Sequence, residues 1–198
     1  MIDSPAVTRT LAQYVVDSKY SDIPNDIRHE ACRALLNWLG CAIGTAHHET
    51  IACAIEALAP FAGAAQAAVL GRRERLDILN AAFLNGTSSH VLDFDDTHEK
   101  AIHPSAPVYP ALLALGEWRQ ASGADIIHAY ILGVEVECRL ALSVIPEHYD
   151  AGWHVTGTAG VFGAAAAAGK LLGLNVQQMT WALGIAATQS SGLREMFG

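Results

Sequence analysis

Apolar residues recur at three- and four-residue spacing along nearly the whole chain, the signature of helices with one buried face. The clearest run is Ile27, Ala31, Ala34, Leu35, Trp38, Leu39 and Ala42, in a helix opened by Asp22-Ile23-Pro24 and stopped near Gly44. Before it, Ser4-Pro5 predicts an N-cap and first turn for a helix reaching about Lys19. After it, helices are predicted from about His48 to Leu58, from Leu76 to Leu92, and from Pro110 to Gln120. Gly86 weakens the second of these by about 1 kcal/mol relative to Ala. Ser122-Gly123-Ala124-Asp125 reads as a capping box for a long helix to about Val144. Thr156 to Leu172 is a helix of Gly and Ala, whose small surface lets neighbouring backbones approach and predicts a central buried position. Asn175 with Gln178 caps a last helix, which Thr188 to Gly192 ends. Ala67 to Gly71 is short and apolar, an extended connector or a lone strand. No sheet of any size, linker or repeat is visible. The pattern predicts an all-α, compact multi-helix domain of about eight helices over residues 1–198.

Two polar segments interrupt the pattern. Asp93 to Ser105 puts three Asp, two His, one Glu, one Lys and two hydroxyls into thirteen residues, with Pro104, Pro107 and Pro110 arguing against a continuous helix there. Pro146 to His154 is the second, with Tyr149, Trp153 and two His. Polar groups this dense between apolar helices predict a pocket where protons move or a charged ligand binds.

Composition narrows the function classes. Hydrophobic residues make up 52% of the 198 positions and charged residues 16%, so much of the chain must be buried in its own core or against a partner. Net charge is −8, with no basic block, which disfavours nucleic acid and polybasic membrane contacts. The most apolar run, Gly160 to Gly169, is too short and weakly hydrophobic to span a bilayer. Cys32, Cys41, Cys53 and Cys138 form no CxxC pair and sit in apolar helical patterns, as buried thiols of a reducing compartment do. With no leader pattern at the N-terminus, the cytoplasm is the expected location.

The first polar segment supports more than one chemistry. Asp93, Asp95, Asp96 and His98 could donate to a metal, and the run Asp95 to Glu99 imitates an acidic magnesium motif, but that use needs substrate phosphates and therefore basic partners, of which the chain shows few. An acid–base site is the stronger reading. His103 is the natural proton carrier near neutral pH, and an adjacent Asp can orient its ring. His154 stands just ahead of the Gly/Ala helix, where free N–H donors suit a carboxylate. The other reading of His154 is a capping or core residue. His29, His47, His48, His90 and His128 read as structural or exposed, and Glu135 with Arg139 as a partly buried ion pair.

The segments DFDDTHEKAIHPSAPVYPALLAL, ILGVEVECRL and HYDAGWHVTGTAGVFGAAAAAGKLLGL, in this order and spacing, resemble the MmgE/PrpD family. That family contains 2-methylcitrate dehydratases, cis-aconitate decarboxylases and an iminodisuccinate epimerase. The resemblance covers nearly the whole chain and implies the family's helical domain, a homodimer, and catalysis without metal or other cofactor. It carries the active-site positions onto Asp93, Thr97, His103 and His154, with Tyr149 as a weaker match. His103, His154 and Tyr149 would be catalytic; Asp93, Thr97 and Lys100 would hold a small tri- or dicarboxylate. The leading expectation is a lyase of the 2-methylcitrate dehydratase type, a hydro-lyase of propionate metabolism, moving a proton at a carbon alpha to a carboxylate. Decarboxylase or epimerase chemistry is the near alternative, and a catalytically silent fragment that binds a partner chain is one of another class. The resemblance further implies an active-site lysine and a smaller α/β lid domain that this sequence does not reach. Lys100 and Arg194 are candidates for the missing cation.

Overall fold

The structure, a computed structural model, describes residues 6–98 and 102–196. Nine α-helices follow one another among them: α1 Val7–Asp17, α2 Asn25–Gly44, α3 Glu49–Leu58, α4 Ile78–His90, α5 Ser105–Arg119, α6 Gly123–Val144, α7 Glu147–Asp150, α8 Val155–Leu171 and α9 Val176–Thr188. The all-α class agrees with the sequence pattern, and the count exceeds the expected eight by the single turn of α7. The Ser4-Pro5 cap lies outside the described residues. Both predicted capping boxes are present, Ser122 with Asp125 and Asn175 with Gln178.

The core forms where α2, α5 and α6 meet. Ala31, Trp38 and Ala42 point inward from α2, as their spacing predicts, whereas Ile27 at the helix start is exposed. Trp38 packs on Tyr109, which stacks on Tyr130 with centroids 3.9 Å apart. The Tyr109 hydroxyl donates to the Ala31 carbonyl at 2.6 Å, so this buried phenol is satisfied. Truncating Trp38 to Ala would cost about 3–5 kcal/mol.

The Gly/Ala helix α8 is central and packs against α5, α6 and α9. Gly160 shows why small residues are needed: a Cβ there would lie 2.6 Å from Pro107 Cγ on α5. Glu137 of α6 is fully buried against Gly160 and Gly163, and neither carboxyl oxygen has a hydrogen-bond partner. Burial pushes its pKa well up, which keeps it neutral.

Four expectations are corrected. The proline-rich stretch is helical from Ser105, not from Pro110. Pro104 is the N-cap residue and Pro107 lies in the first turn, where the N–H has no helical acceptor, so neither proline costs a bond. Pro110 does sit inside α5, and Gly86 lets α4 approach it: a Cβ on Gly86 would lie 3.3 Å from Pro110 Cγ. The short apolar segment is not a lone strand: Ala67–Ala68 (β1) pairs antiparallel with Arg75–Leu76 (β2). Of the cysteines, Cys138 is buried, Cys41 intermediate, and Cys32 and Cys53 are exposed, because they fall on the outer faces of α2 and α3. The Glu135–Arg139 pair lies at the surface, with the arginine side chain 66% exposed.

Candidate functional site

Three elements build the site. The chain leaves α4 at His90 and turns at Asp93, whose backbone is left-handed at φ 56°. Asp is among the few residues that tolerate this conformation. Asp95 then points inward with a fully buried side chain, whereas Asp93 stays 75% exposed. His103 enters just before α5, its backbone N–H donating to the Thr156 hydroxyl at 3.1 Å. His154 is the N-cap residue of α8, and its N–H donates to the Gly192 carbonyl at 3.1 Å.

The side chains interleave. Asp95 Oδ1 lies 2.7 Å from His90 Nδ1 and 3.5 Å from His103 Nδ1. The first is a good hydrogen bond. The second is longer than one, so Asp95 holds His90 by a bond and His103 chiefly by charge. His103 Nε2 lies 3.3 Å from Asp93 Oδ1, and His90 Nε2 lies 4.0 Å from the same oxygen. The two imidazole rings meet edge to face at 4.8 Å. His90 and His154 both line a cleft of about 570 Å³, floored by Gly86, Pro107, Thr156 and Gly157.

These neighbours set opposite proton affinities. Asp95 beside His103 raises that imidazole above its ordinary value of 6.5; burial opposes the shift and Asp93 reinforces it. Burial lowers His154, and the neighbouring His90 and His103 imidazoles lower it further. Burial alone would raise Asp95, but His103 and His90 overcome it and bring the carboxyl down to about 2. The inner pair is thus written as imidazolium and carboxylate.

Asp96 turns away from Asp95. Its carboxylate accepts from the Ser105 N–H at 3.3 Å and hydroxyl at 2.8 Å, while its own N–H donates to Asn37 Oδ1 at 3.0 Å. The two neighbouring carboxylates therefore do not converge as a magnesium motif would require. A different donor set does converge: ligand atoms of His90, Asp93, Asp95 and His103 lie within 4.8 Å of one another. Mixed imidazole and carboxylate donors are of the kind that holds zinc or iron.

Of the residues expected from sequence, Asp93, His103 and His154 are brought together. Thr97 is exposed on the connecting loop, and Lys100 lies outside the described residues. Tyr149 is turned elsewhere: Arg194 lies 4.7 Å over its ring and donates to its carbonyl at 3.1 Å. No residue of the short α7 lines the cleft. Sequence reading missed His90, taken as structural or exposed. Its position as the last residue of α4, three before Asp93 and five before Asp95, was the available signal.

Comparison with known proteins identifies the family. The family model described as MmgE/PrpD N-terminal domain matches residues 9–198. A cis-aconitate decarboxylase-like protein of Aspergillus oryzae is 32% identical over 196 residues, covering 94% of this chain and 41% of the relative. Cis-aconitate decarboxylase of Mus musculus is 32% identical over 191 residues, covering 93% and 39%. The Aspergillus terreus enzyme of the same name is 31% identical over 194 residues, covering 94% and 40%. The chain spans about two fifths of the length of these relatives. With its matching helical domain and this level of identity, the chain belongs to the MmgE/PrpD family and carries the family's N-terminal domain.

Proposed function

We propose that this chain carries the acid–base centre of a lyase acting on a small tri- or dicarboxylate, with cis-aconitate as the favoured substrate. One observation carries the reading: His90 and His154 line one cleft, and His103, edge to face on His90, is shifted upward while His154 is shifted downward. Titratable groups driven apart in this way divide acid and base roles. His103 keeps its proton near neutral pH and serves as the acid, with Asp93 helping to hold its ring. His154 stays neutral and serves as the base, or receives a substrate carboxylate at the N-terminus of α8.

Loss of carbon dioxide from cis-aconitate breaks one carbon–carbon bond and leaves its electron pair spread over an allyl system. A proton delivered to the far carbon, beside a carboxylate, completes the reaction, and His103 supplies it. Thr97 and Lys100 would hold substrate oxygens; Tyr149 is given no role in this reading, because its ring packs under Arg194 and does not line the cleft. A 2-methylcitrate dehydratase would use the same pair differently. His154 would take the proton from carbon, and His103 would protonate the leaving hydroxyl. Epimerisation would use both rings as bases on opposite faces. The names of the relatives favour decarboxylation. The reading includes a metal-free reaction, a homodimer and a cytoplasmic location.

The test follows ultraviolet absorbance and carbon dioxide release with cis-aconitate and with 2-methylcitrate, with and without EDTA, alongside His103→Ala. EDTA-resistant carbon dioxide release that disappears in the variant supports the decarboxylase. Absorbance gained from 2-methylcitrate supports the hydro-lyase instead. EDTA-sensitive turnover transfers the chemistry to the His90, Asp93, Asp95 and His103 donor set. A folded protein that turns over neither compound overturns the lyase reading for this chain. That outcome leaves a second reading, a silent helical domain that docks on another chain. The observation favouring it is a cleft of about 750 Å³ between α2 and the end of α4, lined by the exposed Leu36, Leu92 and Phe94.

A further inference from the structure

We propose that Asp95 is the positioning residue of the site, and that His90, seated on it through Nδ1, is a third imidazole facing the substrate. This rests on the acid–base reading above and extends it to two residues that reading does not use.

Asp95 has no exposed side-chain surface, and its Oδ2 has no hydrogen-bond partner. A buried carboxylate with one oxygen unpartnered is costly, and a core would ordinarily replace it with an apolar residue. Its only close partners among the described residues are the two imidazoles. Asp95 thus touches no part of the outer cleft, yet it organises both rings at the cleft's edge. A carboxylate on Nδ1–H fixes the tautomer of an imidazole and leaves Nε2 as the working atom. For His90 that atom lies 4.0 Å from Asp93 and on the wall shared with His154.

The geometry then sorts the three imidazoles. His103 is bracketed by Asp95 inside and Asp93 outside, at 3.5 and 3.3 Å. The charged groups acting on it are Asp93, Asp95 and Asp96 from its own loop, His90 from α4 and His154 from α8. His90 has one short bond to the inner carboxylate and a longer approach to the outer one. The short bond places the His90 proton on Nδ1 and leaves Nε2 toward the cleft, while His103 lies between both carboxylates. Neutralising Asp95 removes the inner half of both arrangements and leaves Asp93 alone to act on His103.

The test needs no turnover. Ring nitrogens of the histidines are titrated by nitrogen-resolved NMR in this chain, as wild type and as Asp95→Asn. The wild type is expected to show His90 with its proton on Nδ1 and His103 titrating above an ordinary histidine. In Asp95→Asn the His103 midpoint falls, while His148, held by Thr158, stays where it was. A His90 proton on Nε2 in the wild type overturns the proposal, and so does an unmoved His103 midpoint in the variant. The tautomer measurement requires only the wild type, so a variant that does not fold leaves the test intact. Where turnover is found, Asp95→Asn shifts the alkaline limb of its pH profile downward and lowers kcat more than it raises KM; an unshifted limb counts against the proposal. Failure with every carboxylate substrate would sink the lyase reading without touching these titrations, so the two failures are distinguishable.

Discussion

The two polar segments each bring one histidine to the neighbourhood of His90, His103 against its ring and His154 across the cleft it lines, and give them opposite character. The segment from Asp93 to Ser105 anchors itself with carboxylates: Asp95 on two imidazoles, Asp96 on the start of α5. The segment from Pro146 to His154 anchors itself with rings and backbone. His148 stacks on Trp153 at 5.8 Å, Arg194 covers Tyr149, and Trp153 forms a bridge with Leu193. His103 is therefore raised by the carboxylates around it, chiefly Asp95, while His154 is lowered first by burial and then by the neighbouring imidazoles. Residue type alone does not assign a catalytic role; burial and neighbouring charge together do.

The largest test of that contrast is His103→Ala. It should lower turnover of the substrate by roughly 10²–10⁴-fold with near-ultraviolet circular dichroism unchanged. Equal turnover would show that the carboxylate-rich segment holds no proton for the reaction. The second is the pH profile of kcat/KM. Where His154 acts as the base, its protonation below its lowered pKa makes the rate fall toward acid. Above its raised pKa His103 has lost its proton, so the rate falls toward alkali. The maximum should bracket 6.5, the ordinary imidazole value. His154→Asn should remove the acid limb and spare the alkaline one; loss of the alkaline limb instead would reverse the assignment.

Smaller effects test how the segments are joined. Thr156→Val keeps the shape but deprives the His103 N–H of its acceptor, and should reduce stability by about 1–3 kcal/mol in urea unfolding. Acid sensitivity should separate Asp95 as well. Its carboxyl is lowered from 3.8 to about 2, so its contribution is complete above the first value and lost as pH falls through the second. An Asp95→Asn chain should lose less stability over that interval than the wild type. The smallest effect is Tyr149→Phe, which removes a hydroxyl from an exposed ring already engaged with Arg194. Stability should stay within about 0.5 kcal/mol and turnover should be unchanged; a fall in turnover would restore Tyr149 to the site.

Much of this was legible in the sequence, for physical reasons that differ by region. Helix spacing exposed the α2 face, and local hydrogen-bonding rules exposed both capping boxes, because these depend on neighbours three or four residues away. Dense polarity marked Asp93 and His103. What stayed hidden depends on long-range packing. Pro110 is accommodated within α5 because Gly86, on another helix, leaves room. His90 looked like a helix-end residue, since nothing local says that Asp95 will fold back beneath it. Asp95 and Asp96 look alike in sequence yet face opposite partners, because a single left-handed residue at Asp93 redirects the chain.

One hydrogen bond has a consequence for the order of events in folding. The His103 N–H reaches a hydroxyl 53 residues further along the chain. Closing so long a segment carries a large entropic cost, met only once α5, α6 and α8 have docked. The imidazole between Asp93 and Asp95 therefore reaches its final half-buried setting only in the assembled bundle. During refolding, its titration behaviour should be among the last properties to appear. It would serve as an internal clock that marks completion.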